Sequence, residues 1–128
     1  MKPATGAVQH INWDEIPLEQ VTEQLGRKLV TGEREMVTQI FMKQGCFVPT
    51  HSHESEQVTY VLKGSLKFRL DGREVTLRPG DVLVIPSWME HSAEALEETV
   101  EMDIFSPIRQ DWIDKTDDYL RRGDAPPE

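Results

Sequence analysis

Glycine and proline punctuate the middle of this chain at short intervals, and the segments between them are rich in Val, Ile, Leu, Phe and Thr. Nothing else in the sequence constrains the fold as much. Such residues suit a pleated, half-buried surface, and turn formers at this frequency break the chain into short strands. The chain therefore reads as an all-β domain. Candidate strands run over 26–31, 35–43, 56–62, 65–70, 74–77, 81–85 and 99–105, with a weaker one at 93–96. Asp71-Gly72 supplies the two positive-φ residues of a type I′ turn, so the strands on either side of it are expected to pair as a hairpin. After Phe105 the pattern changes. Ser106-Pro107 reads as the start of a short helix, 116–122 followed by Gly123 reads as another, and 124–128 reads as a disordered end.

A chain of 128 residues can bury one hydrophobic core and hardly two. One domain over 1–128 is expected, with its core at about 26–112. A formal charge of −9 opposes binding to nucleic acid or to an anionic membrane, so an anionic ligand must find a local positive site. The first residues lack a signal-peptide pattern, and no apolar run approaches membrane-spanning length. The single cysteine, Cys46, cannot form an internal disulfide and reads as a small buried apolar residue. Together these point to the cytoplasm.

The chemistry lies in the histidines. Two of the four stand in His51-Ser52-His53, and Gln57 follows. Side chains on a strand alternate faces, so 51, 53 and 57 share one face of an extended segment while Glu54 and Glu56 point away. Gln57, rather than its acidic neighbours, is then the third candidate ligand. A fourth is His91, after the loop Pro86-Ser87-Trp88-Met89-Glu90 that ends an apolar strand. Three imidazoles and a neutral carbonyl oxygen make a mixed site for one divalent ion, Mn, Fe, Ni or Zn, with room for water or substrate. A neutral ligand set leaves the ion's charge uncompensated, which favours anionic oxygens and Lewis-acid chemistry.

Gly45, His51-x-His53, Gln57 and Gly64 resemble the first motif of the cupin superfamily, with Gln where many members carry Glu. Gly80, Pro86 and His91 resemble the second, although Trp88 stands where Gly is usual and Ala95 where Asn is usual. The resemblance implies a jelly-roll β-barrel or sandwich with short C-terminal helices.

Alternation along the last strand puts Glu101, Asp103 and Phe105 on one face and Met102 and Ile104 on the other. An inward carboxylate in a small barrel is costly unless it has a partner or a task. With the His-x-His and Gln arrangement, the run Asp103-x-Phe105-Ser-Pro-x-Arg109 is similar to the small single-cupin proteins of pectin and alginate breakdown, which linearise 4,5-unsaturated uronates to ketouronates. That likeness implies catalytic roles for Asp103 and Arg109 and a substrate-binding role for Phe105, on a small anionic substrate. Trp88 is a candidate to wall the sugar pocket by stacking. An ion pair between Asp103 and Arg109, tying the last strand to the C-terminal helix, is the structural alternative. A metal-dependent dioxygenase and a non-enzymatic metal-dependent binding module are the rival functions. Apolar residues at Val58, Tyr60 and Leu62, on outward strand faces, predict a homodimer.

Overall fold

The computed structural model describes residues 2–122; the expectations for 123–128 lie outside them. After a 3-10 turn at Trp13–Glu15 come ten strands: β1 (Glu19–Gln20), β2 (Leu25–Thr31), β3 (Met36–Met42), β4 (Phe47–His51), β5 (Glu56–Lys63), β6 (Leu66–Leu70), β7 (Arg73–Leu77), β8 (Val82–Ile85), β9 (His91–Ala95) and β10 (Thr99–Ser106). Two short helices follow, α1 (Gln110–Asp114) and α2 (Asp118–Arg121). The strands form a six-stranded sheet, ordered β1-β2-β3-β10-β5-β8, and a four-stranded sheet, ordered β4-β9-β6-β7. All pairings are antiparallel. This is the all-β sandwich expected, with the helices at its C-terminal end.

The core lies between the two inner faces. Met36, Ile40, Met42, Val61 and Phe105 from the larger sheet meet Val48, Leu66, Phe68, Ala93 and Ala95 from the smaller. β3 shows the reason most plainly: its residues alternate buried and half-buried along its whole length, the period of a strand with one face in the core. Cys46 is buried and burial pushes its thiol up to about 11, in keeping with the role of a small apolar residue.

The Asp71-Gly72 hairpin forms as expected, both residues having positive φ and Leu70 pairing with Arg73. Gly64 turns β5 into β6 with φ +90, and a Cβ there would lie 2.2 Å from the Glu98 carbonyl oxygen. No other residue fits that position. The C-terminal expectations need two corrections. Ser106–Pro107 is a cis peptide that starts no helix; α1 begins at Gln110. The second helix is shorter than 116–122, because Asp117 is drawn out of it into an ion cluster.

That cluster fixes the C-terminal helices to the sheet. Arg27 on β2 is fully buried, donates to Asp117 at 2.7 Å and to Glu19 at 3.0 Å, and lies over the Trp112 ring at 4.5 Å. Arg121 closes the square, pairing with Asp117 at 3.0 Å and Glu19 at 2.9 Å. Removing one partner of a buried pair strands the other charge. Asp117→Ala is therefore expected to lower the unfolding free energy by about 3 kcal/mol. Urea unfolding measures it, and a change below about 0.5 kcal/mol, the size of a surface substitution, would contradict the structural role.

Candidate metal centre

β4 and β9 bring the first two imidazoles together. Pro49 has no N–H for the ladder, and the pairing slips by one residue between Val48 and His51, so that His51 sits opposite His91. After His51 the chain leaves the four-stranded sheet, crosses through 52–55 and enters the six-stranded sheet as β5. His53 is held on that crossing: its carbonyl accepts from the Trp88 N–H at 2.8 Å, and the Ser87 hydroxyl donates to the Glu54 carbonyl. The expected convergence of His51, His53 and Gln57 is thus present, but for a different reason. Alternation cannot operate across a change of sheet; the crossing points two sheets' side chains at one space.

Candidate ligand atoms of His51, His53 and His91 all lie within 4.8 Å of one another. Each Nδ1 lies 2.8 Å from a nearby backbone carbonyl: Pro49 for His51, Ser55 for His53 and Met89 for His91. A carbonyl only accepts, so each Nδ1 carries the hydrogen and each Nε2 presents a lone pair. Backbone bonds of this kind hold metal-ligating imidazoles in orientation. Burial is the main cause that lowers all three pKa values; His91 adds to it at His51, which falls to about 3, and Arg109 at His53, which falls to about 4. The rings are neutral near pH 7.

Gln57 completes the set. Its Nε2 donates to Thr59 Oγ1 at 2.9 Å and to Asp103 Oδ1 at 3.3 Å, which directs Oε1 to His53 Nε2 at 3.1 Å. That last contact sets two acceptors against each other with no hydrogen between them. A cation there would resolve it, and three imidazoles with this amide oxygen are donors of the kind that could hold a divalent ion.

Beyond Gln57 the network reaches acid groups. The Thr59 hydroxyl donates to Asp103 Oδ1 at 2.6 Å. Asp103 and Glu101, adjacent on the inner face of β10, are 4% and 3% exposed and share a hydrogen bond. Burial raises both, and Glu101, facing Asp103 with little other help, is raised well above the ordinary range. The pair therefore favours holding a proton between its two carboxyls. Glu101 Oε2 has no hydrogen-bond partner among the described residues.

Arg109 is also buried. Its Nε and Nη2 grip Asp111 at 3.0 and 2.8 Å, Nη2 also donates to the Tyr119 hydroxyl at 2.8 Å, and Nη1 has no partner among the described residues. The Asp103–Arg109 ion pair weighed from the sequence is absent: Arg109 takes Asp111, and Asp103 takes Thr59 and Gln57. Phe105 lies under the guanidinium at 5.1 Å and edge-on to His53 at 5.6 Å.

His51, Gln57, His91, Asp103, Phe105 and Arg109 line one cavity, and His53 abuts it through its contacts with Gln57 and Phe105. Trp88 is not brought there. It occupies the loop before β9 with φ +64, a conformation that suits the glycine usual at this position, and its side chain is 65% exposed. Glu101, Trp112 and Tyr119 line the cavity without having been singled out as site residues. Alternation had already turned Glu101 inward; nothing in the sequence places the two aromatic residues.

A β-sandwich holding a His-x-His pair, a glutamine and a distant histidine around one buried space defines a class of protein. The Cupin domain family matches residues 37–106, and the chain belongs to it. Within that family it is 30% identical over 103 residues to the pectin degradation protein KdgF of Dickeya dadantii (strain 3937), a match covering 78% of this chain and 94% of that one. The structure of KdgF from Halomonas sp. superposes with a TM-score of 0.73 at 33% identity, covering 77% of this chain and 94% of that one. An RmlC-like cupin from Shewanella frigidimarina NCIMB 400 superposes with a TM-score of 0.78 at 25% identity, covering 83% and 96%.

Proposed function

We propose that this protein is a metal-dependent enzyme that opens the ring of 4,5-unsaturated uronates to ketouronates. The observation that carries the reading is the line from His53 through Gln57 and Thr59 to Asp103, with a buried arginine nitrogen left unpaired in the same cavity. The likeness to KdgF, a pectin degradation protein, supports the substrate class.

His51, His53, Gln57 and His91 would hold the ion, which supplies a Lewis acid for the substrate's oxygens. Arg109 binds the carboxylate through its free Nη1. Asp103 takes the proton of the anomeric hydroxyl as the ring C–O bond breaks, and returns one to C4 as the resulting enol becomes a ketone. Atoms and protons balance within one substrate molecule, so the reaction is an isomerisation. Glu101 and Thr59 hold Asp103 in place between the two transfers. Anaerobic incubation of the metal-loaded protein with an unsaturated mono-uronate tests the reading: full conversion without oxygen is expected. No conversion by metal-loaded protein, or conversion only with oxygen, would overturn it.

A second copy is proposed as the partner. Ile104, Val58 and Val84 stand opposite one another across β10, β5 and the edge strand β8, as do Met102, Tyr60 and Val82. With Leu62 they form an outward apolar band in which Tyr60, Leu62, Val82, Val84 and Ile104 are exposed. A solution mass near twice 14.7 kDa is expected. A monomer at micromolar concentration would contradict the homodimer.

A further inference from the structure

The cavity has a roof made by the C-terminal helices. Trp112, Tyr119 and Leu120 line it from above, and the Tyr119 ring stacks on His51 at 4.3 Å between centroids. The space beneath is about 40 Å3, room for about three waters. A sugar acid that enters this cavity therefore meets the roof residues directly. The Tyr119 oxygen accepts from Arg109 Nη2 at 2.8 Å and from Trp112 Nε1 at 3.2 Å. Both of its lone pairs are thus engaged, and what the phenol has left to offer is its hydrogen. Beside it, on the same guanidinium, is the unpartnered Nη1 of a side chain only 4% exposed. Two donors thus stand free beside each other.

We propose that Tyr119 is a substrate-binding residue, its hydroxyl donating to a carboxylate oxygen beside the free Nη1 of Arg109. The inference rests on the uronate reading in taking a carboxylate as the ligand. The chemistry favours that choice: a carboxylate has two oxygens to match two neighbouring donors, and hydrogen bonds to a charged group in a buried site are the strong ones. A phenol keeps its hydrogen at neutral pH. Asp111, held by the other edge of Arg109, fixes the guanidinium in this orientation, and the Arg27–Asp117 pair anchors the segment that carries Tyr119.

Tyr119→Phe removes the hydroxyl and keeps the ring on His51. Metal-loaded wild type and variant are titrated calorimetrically with D-galacturonate, an unreactive acid, and with D-galactose, its neutral counterpart. The variant is expected to bind the acid at least about tenfold more weakly and galactose equally. With an unsaturated uronate the loss falls on KM rather than kcat. Equal binding of the acid by both proteins, an equal loss for acid and neutral sugar, or no binding of the acid by wild type would overturn the proposal. Tyr119-dependent acid binding without ring opening would leave this inference standing and end the proposed reaction. Ring opening with an unchanged KM in the variant would do the reverse.

Discussion

Asp103→Asn is expected to lower the turnover of an unsaturated uronate by about a hundredfold or more while the metal content stays at one ion per chain. Asparagine has nearly the shape of aspartate and still accepts from the Thr59 hydroxyl, so the network around Gln57 persists. It cannot take up and return a proton. The protein should not be destabilised, since the substitution ends the crowding of two carboxyls in one buried space. Steady-state kinetics, elemental analysis and thermal unfolding of the same preparation check the three parts together. Equal turnover by variant and wild type would remove Asp103 as the proton carrier. A large fall in melting temperature would show instead that its role is structural.

His51→Ala combined with His53→Ala should abolish stoichiometric metal binding, as measured on protein reconstituted with Mn, Fe, Ni or Zn. Two of four donors vanish, and those remaining, Gln57 on β5 and His91 on β9, come from different sheets. The loss reaches beyond the ion. Tyr119 loses the ring it stacks on and Phe105 its edge contact, so the melting temperature should also fall. His10, exposed near the N-terminus, is the control, and His10→Ala should leave both properties alone. Full occupancy in the double variant would show that these imidazoles are not the ligands.

Much of the sandwich was legible because its signals are local. Asp71-Gly72 needs only its own two residues to make the turn, and β3 alternates over its full length. β4 was missed for an equally local reason: Phe47–His51 contains a proline and ends on a polar residue, which argues against a strand when read alone. The slip beside Pro49 is what aligns His51 with His91, so the feature that hid the strand builds the site. Alternation found Asp103 and Phe105 because both lie on one regular strand. It brought 51, 53 and 57 together by a premise the fold does not meet, since the chain changes sheets between them.

Arg109 and Tyr119 show where reading along the chain ends. Arg109 takes Asp111, a carboxylate only two residues on that it grips with two nitrogens, and not Asp103. Tyr119 reaches the cavity because Asp117 is tied to Arg27, ninety positions earlier in the sequence. No local pattern encodes that pair. Trp88 marks the converse case: its position beside a motif suggested a pocket wall, while its left-handed backbone turns the ring to solvent.

The requirement for the ion is tested most directly by stripping the protein with a chelator and adding a divalent metal back in steps while ring opening of an unsaturated mono-uronate is followed. The stripped protein should be inactive, and activity should rise in proportion to added metal and level off at one ion per chain. Ring opening that proceeds undiminished in the stripped protein, or that stays absent when one ion per chain is bound, would contradict a metal-dependent uronate isomerase.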